Sequence, residues 1–260
     1  MRYHLNLLRL FWRNTLLLEL EYRLNFFFVA LTSVGNALAG LFGLYLFFRT
    51  GYRFQGWSWE QALLVMGTLC LLVGFRDSIL APNLSRIVSL VQRGTLDFVL
   101  LKPVDSQFMV SLRAFSPSGL PDLLLGLGIL AYAGVKLDVP LSAWLLALPM
   151  VLTSWLILYA LWFMVAATSI WFVRVYNATE VLNGLLEAGR YPASAYPVAF
   201  RYFFTFVVPV TFMTTVPAEV VLGRGGWTLP LQTLAVAAVL LLISRGFWKW
   251  ALRYYTSASS

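Results

Sequence analysis

The 260-residue sequence has one cysteine, one histidine and a charged fraction of only 12%. Each scarcity excludes something. A lone cysteine, Cys70, leaves neither a disulfide framework nor a thiolate metal cluster. The lone histidine, His4, stands at the extreme N-terminus beside basic residues, which removes histidine-based catalysis and metal binding at depth. Carboxylate-only chemistry survives this argument. The charged fraction is about half that of an ordinary soluble domain. No G-x-x-x-x-G-K-[ST] phosphate loop occurs, so any ATP chemistry belongs to another chain.

What is abundant is apolar surface. Hydrophobic residues make up 60% of the chain, with 10 Trp, 12 Tyr and 20 Phe. No aqueous globule hides that much, and amphipathic rings collect where membrane proteins cross the headgroup level. The length suits one membrane domain over residues 1–260 without a large soluble module. The net charge of +8 would suggest nucleic acid in a soluble protein. In a membrane protein basic residues hold loops on the cytoplasmic side and meet anionic lipid, so no nucleic-acid partner is expected. The first residues lack a short apolar core followed by a small-residue cleavage site, which predicts a retained, cytoplasmic N-terminus.

A membrane-crossing helix needs about 20 apolar residues with internally satisfied backbone. That length predicts an all-α polytopic fold with six spans at 24–48, 61–81, 107–133, 141–173, 200–222 and 229–250. Pro209 and Pro217 interrupt the fifth, predicting a shorter helix with a bent or re-entrant piece before the sixth. An even count puts both termini on one side. The outer loops would hold Arg49, Arg53, Lys136 and Arg224, four of 19 basic residues, so both termini are expected in the cytoplasm.

Three segments lie outside these spans. In 1–23, Arg2, Asn6, Arg9 and Arg13 form one helical stripe and Leu5, Leu8, Trp12 and Leu16 another, predicting an interfacial amphipathic helix. In 83–103, Leu84, Ile87, Val88 and Val91 form an apolar face opposite Ser85, Arg86, Ser89, Gln92 and Arg93. Pro82 and Asn83 open that short cytoplasmic helix, Gly94 stands at the C-cap position, and Pro103 closes the excursion. In 174–199, Val181, Leu182, Leu185 and Leu186 would lie on lipid while Asn177, Glu180, Asn183 and Glu187 face water, predicting a second cytoplasmic surface element. Pro192 and Pro197 then stiffen the entry to the fifth span.

Ionisable residues inside spans are functional candidates by default, here Arg76, Asp77, Arg113, Asp122 and Glu219. Neighbours on a helix point about 100° apart, so Arg76 and Asp77 are not expected to pair with each other. Arg113 and Asp122 read as contacts between helices, and Glu219, beside Pro217, as lining an exit. Gly35, Ala39 and Gly43 make a small-residue face on the first span, while Gly126, Gly128, Pro117 and Pro121 make the third deformable.

The segments QRGTLDFVLLKPV and RYPASAYPVAFRYFFTFVVPVTFMTTVPAEVVLG resemble the permease subunits of ATP-binding-cassette (ABC) exporters of the ABC type-2 superfamily, with order and spacing agreeing across nearly the whole chain. The resemblance implies an interfacial helix carrying Arg2, Arg9, Trp12 and Arg13, six spans, a coupling helix after the second and a re-entrant stretch before the sixth. It implies a bacterial inner-membrane permease that pairs with a second permease, identical or related. Two ABC ATPase subunits would dock below, holding ATP and Mg and driving export of a lipid, glycan or amphiphile. Under this reading Arg86, Gln92 and Arg93 face the ATPase and Ile87 and Val91 anchor in it. Gly94 and Pro103 shape the segment, and Asp97 and Lys102 pair with each other or with the N-terminal helix. An ATPase-independent transporter or scaffold is the alternative, but the internal repeat such a transporter would carry is not evident. An intramembrane enzyme is disfavoured by the histidine count.

Overall fold

The computed structural model describes Trp12 and residues 23–50, 56–172 and 176–256, and every regular element among them is helical. Five helices are long and apolar enough to cross a membrane: Phe26–Arg49, Trp59–Gln92, Pro117–Lys136, Leu141–Ile170 and Thr228–Tyr254. A sixth crossing is counted if Val198–Val207 and Val210–Val221, bent by 71°, form one span. In chain order the helices are α1 (Arg23–Arg49), α2 (Trp59–Phe75), α3 (Ala81–Gln92), α4 (Asp97–Leu100), α5 (Ser106–Ser111), α6 (Leu120–Lys136) and α7 (Leu141–Ala167). They continue as α8 (Tyr176–Glu187), α9 (Val198–Tyr202), α10 (Val210–Met213), α11 (Thr215–Val221) and α12 (Thr228–Ala251).

Local chemistry sets the ends. Ser58 and Gln61 form a reciprocal capping box at the start of α2, with Ser58 N–H donating to Gln61 Oε1 at 3.1 Å. Asp105 caps α5 by accepting the Phe108 N–H at 2.9 Å. At the end of α3, Gly94 takes φ +63° and its N–H donates to the Val91 carbonyl, while Thr95 N–H donates to that of Leu90. This is a Schellman turn, with Gly94 one residue past the C-cap Arg93, where a capping glycine belongs.

Packing centres on two pairs, α2 with α6 and α7 with α12. Glycines set the first: a Cβ on Gly126 would lie 2.9 Å from the Gly67 carbonyl oxygen, and one on Gly74 would lie 2.6 Å from Leu123 Cγ. Without side chains between them the backbones approach closely, the favourable arrangement where lipid gives no hydrophobic drive. The second pair interlocks through rings, with Phe163 and the buried Trp248 5.3 Å apart. Aromatic residues mark both ends of the bundle. Phe48 meets Trp59 at 5.9 Å at one end, and Trp171 meets Trp250 at 4.8 Å at the other. The second end also carries Arg86, Arg93, Lys102, Lys249 and Arg253 and is called the basic end below.

Three features differ from expectation. The third spanning helix starts at Pro117, ten residues later than position 107, because Ser106–Ser111 is a separate helix followed by a break before Pro117 and Pro121. The amphipathic α3 continues α2 through a π-helical turn, Arg76–Leu80, instead of standing alone. Most consequential, the segment expected on the cytoplasmic surface runs up between the spans. Thr179 and Glu180 lie beside Ser85 and Val88, Arg190 Nη1 donates to the Asn36 carbonyl at 3.4 Å, and the Tyr191 ring is 5.4 Å from Phe47. Its amphipathic period is real, and its polar face is shared: Glu180 and Glu187 are exposed, while Asn183 accepts from Arg76 at 3.5 Å. Of the expected interfacial helix, Arg2, Arg9 and Arg13 lie outside the described residues.

Candidate functional site

The basic end is built on α3. Asn83 is buried and binds the break before α6: its Nδ2 donates to the carbonyls of Ile79 and Ala114, both at 2.7 Å, and its Oδ1 accepts the Ala114 N–H at 2.8 Å. Trp12 enters the same break, donating from Nε1 to the Leu112 carbonyl at 3.1 Å with its ring 5.2 Å from Phe115. The outward side of α3 presents Arg86, Gln92 and Arg93, all exposed. Ile87 corrects the sequence reading. It is 0% exposed inside the protein's own core, with Val91 half-buried against that core, so both fasten α3 to this chain. The exposed apolar groups are instead Phe98 at 69% and Leu101 at 81%, flanked by Lys102 and Pro103.

Past α4 the chain is clamped to the last span. The Arg245 guanidinium forms two hydrogen bonds with the Asp105 carboxylate, which it holds below the usual carboxylate pKa, and also donates to Gln107 Oε1 at 3.1 Å. Gln107 Nε2 donates to Tyr159 Oη at 3.1 Å and Ser244 Oγ at 3.2 Å, and Trp248 Nε1 donates to Ser106 Oγ at 3.0 Å. This network joins α5, α7 and α12. Its members are single polar residues with no recognisable spacing in the sequence.

Within the spans the ionisable residues converge on one cleft of about 390 Å³ between α1, α2, α6 and the top of α8. Arg76, Asp77 and Asp122 line it, and Glu187 and Arg190 join them from the climbing segment. Arg76 and Asp77 do pair, against expectation, at 2.7 Å from Nε to Oδ1 and 2.9 Å from Nη2 to Oδ2. They sit at the start of the π-helical turn, whose wider winding narrows the angle between neighbours, and the long arginine stem closes the rest. Arg76 Nη1 also donates to Asn183 Oδ1 at 3.5 Å, and Arg190 pairs with Glu187. Asp122 Oδ2 accepts from Ser33 Oγ at 2.7 Å, tying α6 to α1.

Arg113 and Glu219 lie elsewhere. Arg113 is half-buried in the break before α6, where it feels the like charge of Arg86. Glu219 is half-buried on α11, and its backbone carbonyl accepts the Arg224 N–H at 2.9 Å. A larger apolar recess of about 1120 Å³ opens between α2, α6 and α7 near Trp144.

These features define a polytopic helical membrane protein with a polar intramembrane cleft and an exposed apolar tip at its basic end. The chain belongs to the ABC-2 family of transporter proteins, whose family model matches residues 34–259. No curated protein and no solved structure matches it.

Proposed function

We propose that this chain is the permease subunit of an ABC exporter, in which the basic end faces the cytoplasm and receives a separate ATPase that binds ATP and Mg. Two permeases, identical or related, would pair around the pathway, with both termini cytoplasmic in a bacterial inner membrane. The supporting observation is the tip itself. Phe98 and Leu101 are 69% and 81% exposed next to the basic residues Arg93 and Lys102. Large apolar side chains presented beyond a spanning helix mark a surface that a partner covers. Helix α2 with α3 is about 51 Å long at 1.5 Å per residue over Trp59–Gln92, against about 30 Å of hydrocarbon core, so one end has length to reach past the lipid.

The braces suit transmission. Closure of an ATPase dimer is a rigid-body motion, and a seated tip passes it on only if it is stiffly joined to the spans. Asn83 joins the tip to α6, while Asp105 and Gln107 join it to α7 and α12. Lipids, glycans and amphiphiles are the cargo classes this pathway fits.

The test is co-purification of the full chain with its ATPase. F98S together with L101S is expected to leave membrane insertion intact and to abolish both ATPase capture and stimulated hydrolysis. Retention of both would overturn the docking role. Transport by the unmodified chain that continues without ATP would overturn the exporter reading.

A further inference from the structure

The cleft holds five charged side chains, and matching them by sign leaves one over. Arg76 is engaged by both oxygens of Asp77, and Arg190 is engaged by Glu187. Among the described residues no cation lies within ion-pair distance of Asp122, and Arg76, already held by Asp77, acts on it only from further off. Only Ser33 donates to its carboxylate among the described residues, and at 8% exposure it still lines the cleft. Two arginines against three carboxylates give the cleft a net charge of −1 when all are ionised. A carboxylate this far out of water is costly until a counter-charge meets it.

The cleft's size and walls say what kind of counter-charge fits. Its volume of about 390 Å³ falls in the range of sites for small organic molecules and far exceeds one ion. Among the described residues no three His, Cys, Asp or Glu side chains are grouped to hold a metal ion. Beside the charges the lining carries the apolar Phe28, Val29, Met66, Leu69 and Val73 together with the polar Thr32 and Asn36, and an aromatic ring in the lining suits a cation. Phe28 is also exposed on α1, so the cleft opens onto the surface of that helix.

We propose that this cleft binds an organic cation, an amphiphile carrying one positive charge. The charge sits beside Asp122 and the apolar remainder lies along Phe28 and Val29. The two matched ion pairs supply polarity without attracting an anion. The proposal rests on the transport reading only for its meaning as cargo recognition, since binding itself needs no ATPase.

The experiment measures radiolabelled tetraphenylphosphonium binding to the full chain in phosphatidylcholine nanodiscs, with empty discs subtracted. Saturable binding is expected, and D122N, which keeps an oxygen for Ser33, weakens it at least tenfold. D105N, which removes a carboxylate outside the cleft, changes it less than threefold. Tetraphenylborate, of the same shape and opposite charge, does not displace the probe. Absence of saturable binding, unchanged affinity in D122N, equal loss in D105N, or displacement by tetraphenylborate would each overturn the proposal. The F98S/L101S result leaves this measurement untouched, so the docking reading and the cation site fail separately.

Discussion

A methyl group on Gly126 of α6 would stand 2.9 Å from the Gly67 carbonyl oxygen of α2, whereas one on Gly35 of α1 would meet nothing within 4 Å. Both helices carry small residues at a spacing that permits close contact, yet only the α2–α6 pair uses it. On α1 the stripe Gly35, Ala39, Gly43 is largely open, with Gly35 and Ala39 exposed. The glycine that matters there is Gly40, where a Cβ would lie 2.8 Å from Met66 Cε and collide with the Arg190 guanidinium. Small residues therefore permit an approach, and the partner decides whether it happens. The α2–α6 seam is a fixed joint, while α1 is held along one line by Ser33, Gly40 and Leu44.

The largest effect is expected where the seam is tightest. A Cβ on Gly119 would fall well inside contact distance of the Gly74 carbonyl and within 2.8 Å of the Ser78 backbone nitrogen. G119A should cost about 1–3 kcal/mol or more through overpacking, while G35A should stay within about 0.5 kcal/mol of the parent. Thermal unfolding of the detergent-solubilised protein measures both, and equal shifts for the two variants would remove the distinction between joint and free helix.

Next comes the polar extension of the same seam. Asn83, 1% exposed, satisfies both backbone groups of Ala114, and N83A leaves them unpaired next to α3. A loss of about 1–2 kcal/mol is expected, because the two freed groups are half-buried. S85A, on the exposed side of the same helix, should change little. If the two variants unfold together, the break before α6 is not braced by Asn83.

How much of this was legible in the sequence depends on whether the partner was local. The Gly94 turn, the break at Pro209 and the outward Arg86 and Arg93 follow from propensity and period, which act within a few residues. Asp122 was legible as a helix contact, but not its partner Ser33, 89 residues away. The inner contacts of the 174–199 segment were hidden for the same reason. Its polar face is written in the sequence, whereas the charges that face meets, Arg76 and Asp77, come from another helix. Ile87 was read as facing a partner because an apolar face does not say which neighbour covers it.

The clamp at Asp105 tests whether an exposed brace behaves like the buried one. Arg245 hydrogen-bonds the carboxylate and the Phe108 N–H adds to it, so the Asp105 pKa lies below its ordinary value in the folded protein. A depressed carboxylate contributes stability that is fully present above its unfolded pKa of about 3.9 and is lost as pH falls through the folded value. D105N keeps the helix cap but not the charge, so its unfolding temperature should fall below the parent's at pH 7, and the gap should narrow as pH falls below about 3.9 and close below the folded value. Side-chain exposures of 40% and 41% make this the smallest of the three effects, and added salt should shrink it further. A gap that is constant from pH 7 to pH 3 would show that Asp105 acts through its hydrogen bonds alone, as Asn83 does, and that charge adds nothing to the joint between the tip and α12.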